Sequence, residues 1–166
     1  MQYTLFDKIY LKEITQEEFE RLTTKDADNF INLQTLLKDM SENGDEKLKK
    51  KIEMIRDKLN FASRSFSLYD EEKYIGYVSF SDYASTSPEI QIDIKEGYQH
   101  KGIGYKAVHY LTDKLFQERA DIEHFIYRVR VENVASTKLI EKLGGEEVPV
   151  DKVVASFIRK FRLLRK

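Results

Sequence analysis

The segment that most constrains this chain is a short glycine-containing loop between two stretches of different periodicity. Before the loop, residues 89–94 (EIQIDI) alternate strictly between polar and apolar, which predicts a strand with one buried face. After the loop, apolar residues recur at helical spacing from Ile103 to Leu115, which predicts an amphipathic helix. The first amides of such a helix have no backbone partner and suit phosphate oxygens. A glycine loop that joins a strand to a helix is therefore a candidate binding site for a ligand that carries phosphate.

The remaining sequence predicts further strands and helices around this unit. A capping-box spacing from Thr15 to Glu18 predicts the start of a helix, and Gly144-Gly145 predicts the end of another that begins near Val134. The tail after residue 153 suits a helix or a strand, and its Val, Phe and Ile content favours a strand. Strands are predicted at 8–14, 64–69, 74–81, 89–94 and 125–131, and two further helices at 30–40 and 48–59.

Length and composition limit the class of protein. The chain has 166 residues, which is the usual size of one domain, so we expect residues 1–166 to form a single domain. It contains no cysteine, which excludes disulfides and thiolate metal sites, and the histidines lack the spacing of a metal site, so no metal is expected. A net charge of -1 gives no overall attraction to nucleic acid or anionic membranes. Without an export signal or an apolar run of membrane length, a cytoplasmic protein is expected.

The glycine loop taken alone fits either a simple turn or a phosphate site. A Walker loop is excluded because Ile103, and not lysine, follows Gly102. Residues 102–107 match the dinucleotide fingerprint G-x-G-x-x-A, but several strands precede the loop and little chain remains to build a doubly wound domain. Only the surrounding sequence can distinguish a simple turn from a phosphate-binding loop.

Two motifs at the proper separation resemble the GNAT superfamily of N-acetyltransferases. Residues 99–104 (QHKGIG) match its Q/R-x-x-G-x-G/A signature, and residues 133–144 (NVASTKLIEKLG) resemble its N-x-x-S/A-x-x-L-x-x-K-x-G pattern. The order of strands and helices also fits, so the resemblance covers nearly the whole chain. It implies an α+β (mixed α/β) GNAT-like single domain, with a central mixed, mostly antiparallel twisted sheet of about six to seven strands and helices on both faces.

The resemblance also implies acetyl-CoA as cosubstrate and a set of residues that bind it. In this fold two central strands splay apart, the pantetheine arm lies between them, and the signature loop holds the pyrophosphate. The backbone of the first central strand would pair with the pantetheine amides, and an asparagine beside the second would contact the cofactor. The implied cofactor-binding residues are Ile92, Asp93, Ile94, Gln99, His100, Lys101, Gly102, Ile103, Gly104, Tyr105 and Asn133.

Acetyl transfer by direct attack of an amine needs a base, directly or through water, and an acid for the departing thiolate. Glu89 is the candidate base, because some members carry a catalytic glutamate in a similar place; its other interpretation is a solvated carboxylate at a strand edge. Many members have tyrosine where Ile140 stands, so the usual acid is absent. Ser136 is the substitute candidate or a serine that caps backbone amides, and Tyr127 is the alternative acid or a core residue.

The acceptor amine stays open at this point. A protein α-amine, a lysine, a polyamine and an aminoglycoside all fit, since the variable first helices and residues 81–88 select the acceptor. A catalytically inactive acyl-CoA-binding module with the same fold is the alternative function. The protein is expected as a monomer or a homodimer. The tail is basic at Arg159, Lys160, Arg162, Arg165 and Lys166, which suits a solvated terminus or an acidic partner.

Overall fold

A computed structural model describes residues 2–26, 46 and 63–166, and the elements below are numbered within that part of the chain. The strands are β1 (Gln2–Phe6), β2 (Ile9–Ile14), β3 (Arg64–Asp70), β4 (Lys73–Ser81), β5 (Glu89–Ile94), β6 (His124–Arg130), β7 (Glu146–Val148) and β8 (Ile158–Leu164). The helices are α1 (Gln16–Asp26), α2 (Ile103–Glu118), α3 (Val134–Lys142) and α4 (Lys152–Ala155). The helices predicted at 30–40 and 48–59 lie outside the described residues. None of the described helices is long and apolar enough to cross a membrane.

The strands form one eight-stranded sheet in the order β1-β2-β3-β4-β5-β6-β8-β7. Every neighbouring pair is antiparallel except β5 and β6, which confirms a mixed and mostly antiparallel sheet. The expected six to seven strands were too few, because β1 and β7 are short edge strands with 5 and 3 residues. Such segments carry too few residues for their alternation to stand out in sequence. The tail forms strand β8, as favoured.

Helices cover both faces of the sheet. On one face, α2 packs through Phe116 against Phe125, which in turn contacts Phe80, and these rings lie in the buried core. On the other face, Phe19 of α1 makes an edge contact with Tyr77 at a ring distance of 4.9 Å. We call these two surfaces the α2 face and the α1 face. The capping box is also present, since Thr15 accepts a hydrogen bond from the Glu18 amide at 3.2 Å.

Strand β5 has two edges that differ in hydrogen bonding. Along one edge it pairs with β4 over its whole length, from Gly76 opposite Ile94 to Ser81 opposite Glu89. Along the other edge its pairing with β6 is limited to Glu89 opposite Ile126, at the start of both strands. The two strands therefore part after their first residues, and on this edge the second half of β5 has no partner strand among the described residues.

Candidate active site

A cleft of about 320 Å³ lies beside the second half of β5, after β5 and β6 have parted, and its other walls are the loop before α2, the start of α2 and helix α3. It is lined by all the residues expected to bind the cofactor except Lys101, together with Ser136 and five residues that sequence reasoning did not assign. The lining consists of Ile92, Asp93, Ile94, Tyr98, Gln99, His100, Gly102, Ile103, Gly104, Tyr105, Asn133, Ala135, Ser136, Lys138, Leu139 and Lys142. The fold thus brings both sequence motifs to one place.

The loop before α2 has a backbone that leaves its amides exposed to the cleft. His100 and Gly102 adopt left-handed conformations with φ of 61° and 80°, and Gly102 begins α2 without a side-chain cap. Two side-chain contacts fix the loop: the Tyr98 hydroxyl donates to Asp70 at 3.0 Å, and the Gln99 amide donates to the Ile94 carbonyl at 2.8 Å. The bond to Asp70 raises the pKa of Tyr98. Uncapped amides at a helix N-terminus form a site for an anion.

Gly104 lets the first turn of α2 approach β5 closely. A Cβ atom at this position would lie 3.1 Å from Cδ1 of Ile94 and 3.3 Å from Cδ1 of Ile92. Both distances are tighter than ordinary packing, so only glycine fits without a shift of these side chains. The close approach places the helix amides beside the unpaired edge of β5.

The positive charge of the cleft comes from α3. Lys138 and Lys142 both line it, one helical turn apart, and the Lys142 ammonium lies 4.3 Å from the centre of the Tyr105 ring. Lys101, expected to bind the cofactor, lies instead over the Tyr98 ring at 5.5 Å and outside the cleft lining. The sequence could have predicted this pair, because Lys138 and Lys142 are four residues apart and such residues share one face of a helix.

Asn133 and Ser136 have different contacts at the start of α3. The Asn133 side-chain oxygen caps the helix by accepting from the Ser136 amide at 3.1 Å. The capping role considered for Ser136 thus belongs to Asn133, and the Ser136 side chain lies near Tyr127, whose pKa it lowers slightly against the larger effect of burial. Tyr127 is only 4% exposed, and this burial raises the pKa of its phenol. Ile140, at the position of the family's usual tyrosine, is 1% exposed and packs in the core.

Glu89 lies on the opposite side of the gap, at the point where β5 and β6 part. Its carboxylate pairs with Arg128 at 2.7 Å, so the ion pair bridges the two strands. Because Ile90 and Tyr127 are buried on the α2 face, the alternation of each strand puts Glu89 and Arg128 on the α1 face. Glu89 does not line the cleft, and therefore it reaches the gap from the other face of the sheet.

A second depression of about 650 Å³ lies beside β1 and α2 and includes Thr4, His109, Asp113 and Lys114. It is larger than the cleft but contains no residue of β5 or β6. We place the candidate site in the smaller cleft, because there both sequence motifs and the unpaired strand edge meet. Among the described residues, no three His, Asp or Glu side chains come together as metal ligands.

Comparisons with known proteins give a family and a fold. Residues 8–146 match the family described as Acetyltransferase (GNAT) domain. The fold is similar to a ribosomal-protein-S5-alanine acetyltransferase from Vibrio fischeri, with 16% identity, TM-score 0.64, and coverage of 99% of this chain and 96% of that one. It is also similar to a ribosomal L7/L12 α-N-protein acetyltransferase in complex with coenzyme A, with 14% identity, TM-score 0.65, and coverage of 99% and 98%.

A third similar structure is a dodecameric spermidine N-acetyltransferase from Vibrio cholerae, with 18% identity, TM-score 0.60, and coverage of 95% of this chain and 94% of that one. No protein of curated function matches the chain in sequence. At such low identities these neighbours show a shared fold and no common acceptor. The family match spans most of the chain and agrees with the geometry of the cleft, and the chain therefore belongs to the GNAT family of acetyltransferases.

Proposed function

We propose that this protein transfers an acetyl group from acetyl-CoA to a primary amine by direct attack, and that the cleft between β5 and β6 binds the acetyl-CoA. One observation carries the proposal: an unpaired strand edge lies directly beside the uncapped amides of a helix N-terminus. The first suits an amide-containing arm and the second suits a pyrophosphate. A strand edge without a partner or an uncapped helix N-terminus is common by itself, whereas the two side by side match a pantetheine arm linked to phosphates.

The residues of the cleft fit acetyl-CoA in charge and shape. The amides of Gly102, Ile103 and Gly104 would hold the pyrophosphate, and Lys138 and Lys142 would add positive charge from α3. The backbone edge at residues 92–94 would pair with the pantetheine amides. The Asn133 cap uses the side-chain oxygen, which leaves its amide nitrogen as a donor towards the cofactor.

The two catalytic candidates approach the gap from opposite faces of the sheet. On the α1 face, Glu89 would take a proton from the ammonium, directly or through water, while Arg128 orients its carboxylate. The amine nitrogen then forms a bond to the thioester carbon and the carbon–sulfur bond breaks. The nitrogen loses its second proton, which replaces, directly or through water, the proton that Ser136 gives to the thiolate. On the α2 face, the Ser136 hydroxyl would donate a proton to the departing thiolate, and the neighbouring Tyr127 phenol would help to position that hydroxyl.

The test is calorimetric titration with acetyl-CoA, followed by an assay of thiol release with a panel of amines. We expect one acetyl-CoA per chain, competition by CoA, and thiol release that depends on the added amine. The catalytically inactive binding module instead predicts binding without amine-dependent release. A folded protein that does not bind acetyl-CoA would overturn the proposal entirely.

Replacing Glu89 with glutamine tests the base. E89Q should lower turnover near neutral pH about 100-fold, because general bases contribute roughly that factor, and should leave acetyl-CoA affinity unchanged. The matched control is E96Q, an exposed glutamate just beyond the end of β5 and outside the cleft lining. A normal rate and pH profile for E89Q would return Glu89 to the role of a solvated carboxylate at a strand edge.

A further inference from the structure

The basic tail singled out in the sequence is mostly committed to internal contacts. Arg159 pairs with Glu147 at 2.7 Å and Arg162 with Glu146 at 3.1 Å. Arg165 donates to the backbone carbonyls of Phe116, in the last turn of α2, and Ile122, just after the helix. Lys160 differs from these three, because its side chain forms no hydrogen bond or ion pair with any residue in the described part of the chain.

Lys160 belongs to a cluster of like charges on the α1 face. It lies directly opposite Arg128 in the β6–β8 ladder, and Arg130 follows two residues along β6 on the same face. We call Arg128, Arg130 and Lys160 the cation cluster. Opposed like charges on neighbouring strands destabilise a sheet unless a counter-ion lies between them.

The cation cluster is only partly neutralised. Glu89 pairs with Arg128, whereas Arg130 and Lys160 have no carboxylate partner among the side chains that the structure describes. Arg130 is exposed and the Arg128 side chain is 45% exposed, so both are accessible to a ligand. Two cations that have no described counter-charge, next to the candidate base, favour an anion carried by a ligand.

We infer that the cation cluster binds an anionic group, a carboxylate or a phosphate, carried by the amine acceptor. This inference rests on the proposed function and adds the chemical class of the acceptor. Glu89 pairs with Arg128 at one end of the cluster, and Arg130 lies two residues further along β6, about 7 Å away at a rise of roughly 3.4 Å per residue. With the amine at Glu89, the anionic group lies a few bonds away, as in an amino acid or a peptide with an acidic residue near its N-terminus.

The surroundings of Lys160 support an acceptor of this size. Lys160 also lines an open depression of about 350 Å³, whose other residues are the apolar Val148, Pro149, Val150, Ala155 and Ile158 and the ion pair of Glu147 and Arg159. This depression gives an apolar surface to the rest of an acceptor whose anion contacts the cluster. A polyamine would instead place its second ammonium against two uncompensated cations, which disfavours it.

The experiment compares short acceptors whose main difference is charge. Initial rates of thiol release are measured for three tripeptides, Ala-Asp-Asp, Ala-Gln-Gln and Ala-Lys-Lys, all amidated at the C-terminus. A second arm compares 4-aminobutyrate with 1,4-diaminobutane, and thus separates a small acid from an acidic peptide. We expect kcat/KM to be at least tenfold higher for the acidic member of one arm than for its cationic counterpart, and a higher value for the cationic member in both arms would overturn the inference.

Substitutions then test whether the cation cluster causes the preference for acidic acceptors. The double substitution R130Q/K160Q should reduce the preference for the acidic acceptor about tenfold or more, mainly through KM, and leave the neutral tripeptide unchanged. The control is R162Q, which lies on the same face of β8 but has Glu146 as its partner. Retention of the acidic preference by the double variant, or its equal loss in R162Q, would contradict the assignment.

A direct binding measurement separates this inference from the proposed function. In the presence of CoA, calorimetry with the acidic tripeptide and with 4-aminobutyrate should give saturable binding that R130Q/K160Q weakens. Such binding without any acetyl transfer would overturn the proposed activity and support the subsite. If neither acid binds, the inference fails, even if the enzyme acetylates other amines.

Discussion

The two ends of helix α2 are built in opposite ways. At the N-terminal end, Gly102 has a left-handed backbone and no side chain caps the first amides. At the C-terminal end, Arg165 donates to the carbonyls of Phe116 at 2.6 Å and Ile122 at 2.7 Å. The Arg119 guanidinium also donates to the carbonyls of Tyr83 and Ser85. One end is open to the cleft, and the other is bound to neighbouring segments.

Unsatisfied backbone groups at a helix end cost stability unless a partner arrives. The C-terminal end obtains its partners from the chain itself, so we expect it to serve folding. The N-terminal end has free amides next to an unpaired strand edge, so we expect it to serve the cosubstrate. Substitutions at one end should therefore change stability without binding, and substitutions at the other should change binding or turnover more than stability.

The largest effect is expected for Gly102→Val. A β-branched residue does not tolerate a φ of 80°, so the loop amides should move and acetyl-CoA affinity should fall at least 100-fold. A Cβ atom here meets no atom within 4 Å, so the fold should survive with a loss of about 1–2 kcal/mol. Calorimetry and urea unfolding measure the two quantities.

Gly144→Val is the matched control for this variant. Gly144 has a φ of 89° and equally open surroundings, but it lies after α3 and outside the cleft lining. It should lose similar stability and keep its affinity for acetyl-CoA. Equal loss of affinity in both variants would mean that general backbone strain, and not the cleft loop, controls binding.

The open end of α2 was largely predictable from sequence, and the closed end was not. Gly102 and Gly104 act through the backbone, so their spacing between a strand and a helix was enough to predict their place. The contacts of Arg165 and Arg119 join segments that are far apart in sequence, and no local pattern encodes them. The position of Lys160 opposite Arg128 could not be predicted from sequence either, because it depends on the register of β6 and β8.

Ser136→Ala should change turnover alone. Loss of the hydroxyl removes the candidate acid, so kcat should fall about 100-fold, while acetyl-CoA affinity should stay within about twofold. The start of α3 should persist, because the capping hydrogen bond to Asn133 comes from the backbone amide of Ser136, which the substitution keeps. Ser136→Thr retains a hydroxyl and should recover most of the rate. A normal kcat for the alanine variant would exclude Ser136 as the acid.

Arg165→Met should reduce stability without affecting acetyl-CoA. The guanidinium bonds several carbonyls near the end of α2 and lies 4.6 Å from the centre of the Phe116 ring. Methionine keeps the apolar contact but not these donors, so a loss of about 1–2 kcal/mol is expected. Urea unfolding measures it, with Lys166→Met as the control at the next position. Reduced affinity for acetyl-CoA would contradict the division between the two ends.

The smallest expected effect is a pH-dependent one at Glu118, in the last turn of α2. Arg64 bonds its carboxylate at 2.6 Å, Lys114 bonds it at 2.9 Å, and both lower the pKa of Glu118 below its ordinary 4.5. A pKa that is lower in the folded state than in the unfolded state adds stability above the unfolded value, and this stability is lost as the pH falls through the folded value. Glu118→Gln should therefore cost about 0.5 kcal/mol at pH 7, and the difference from wild type should vanish well below pH ~4.

Urea unfolding of wild type and Glu118→Gln between pH 7 and pH 3 measures this difference. Glu123→Gln serves as the control for the loss of one surface charge, because Glu123 forms no ion pair with another described residue. If the Glu118 difference were constant with pH, a loss of packing and not of charge would explain it. If acetyl-CoA affinity changed instead, charge at the closed end of α2 would reach the cleft through the helix, and the two ends could no longer be treated as independent.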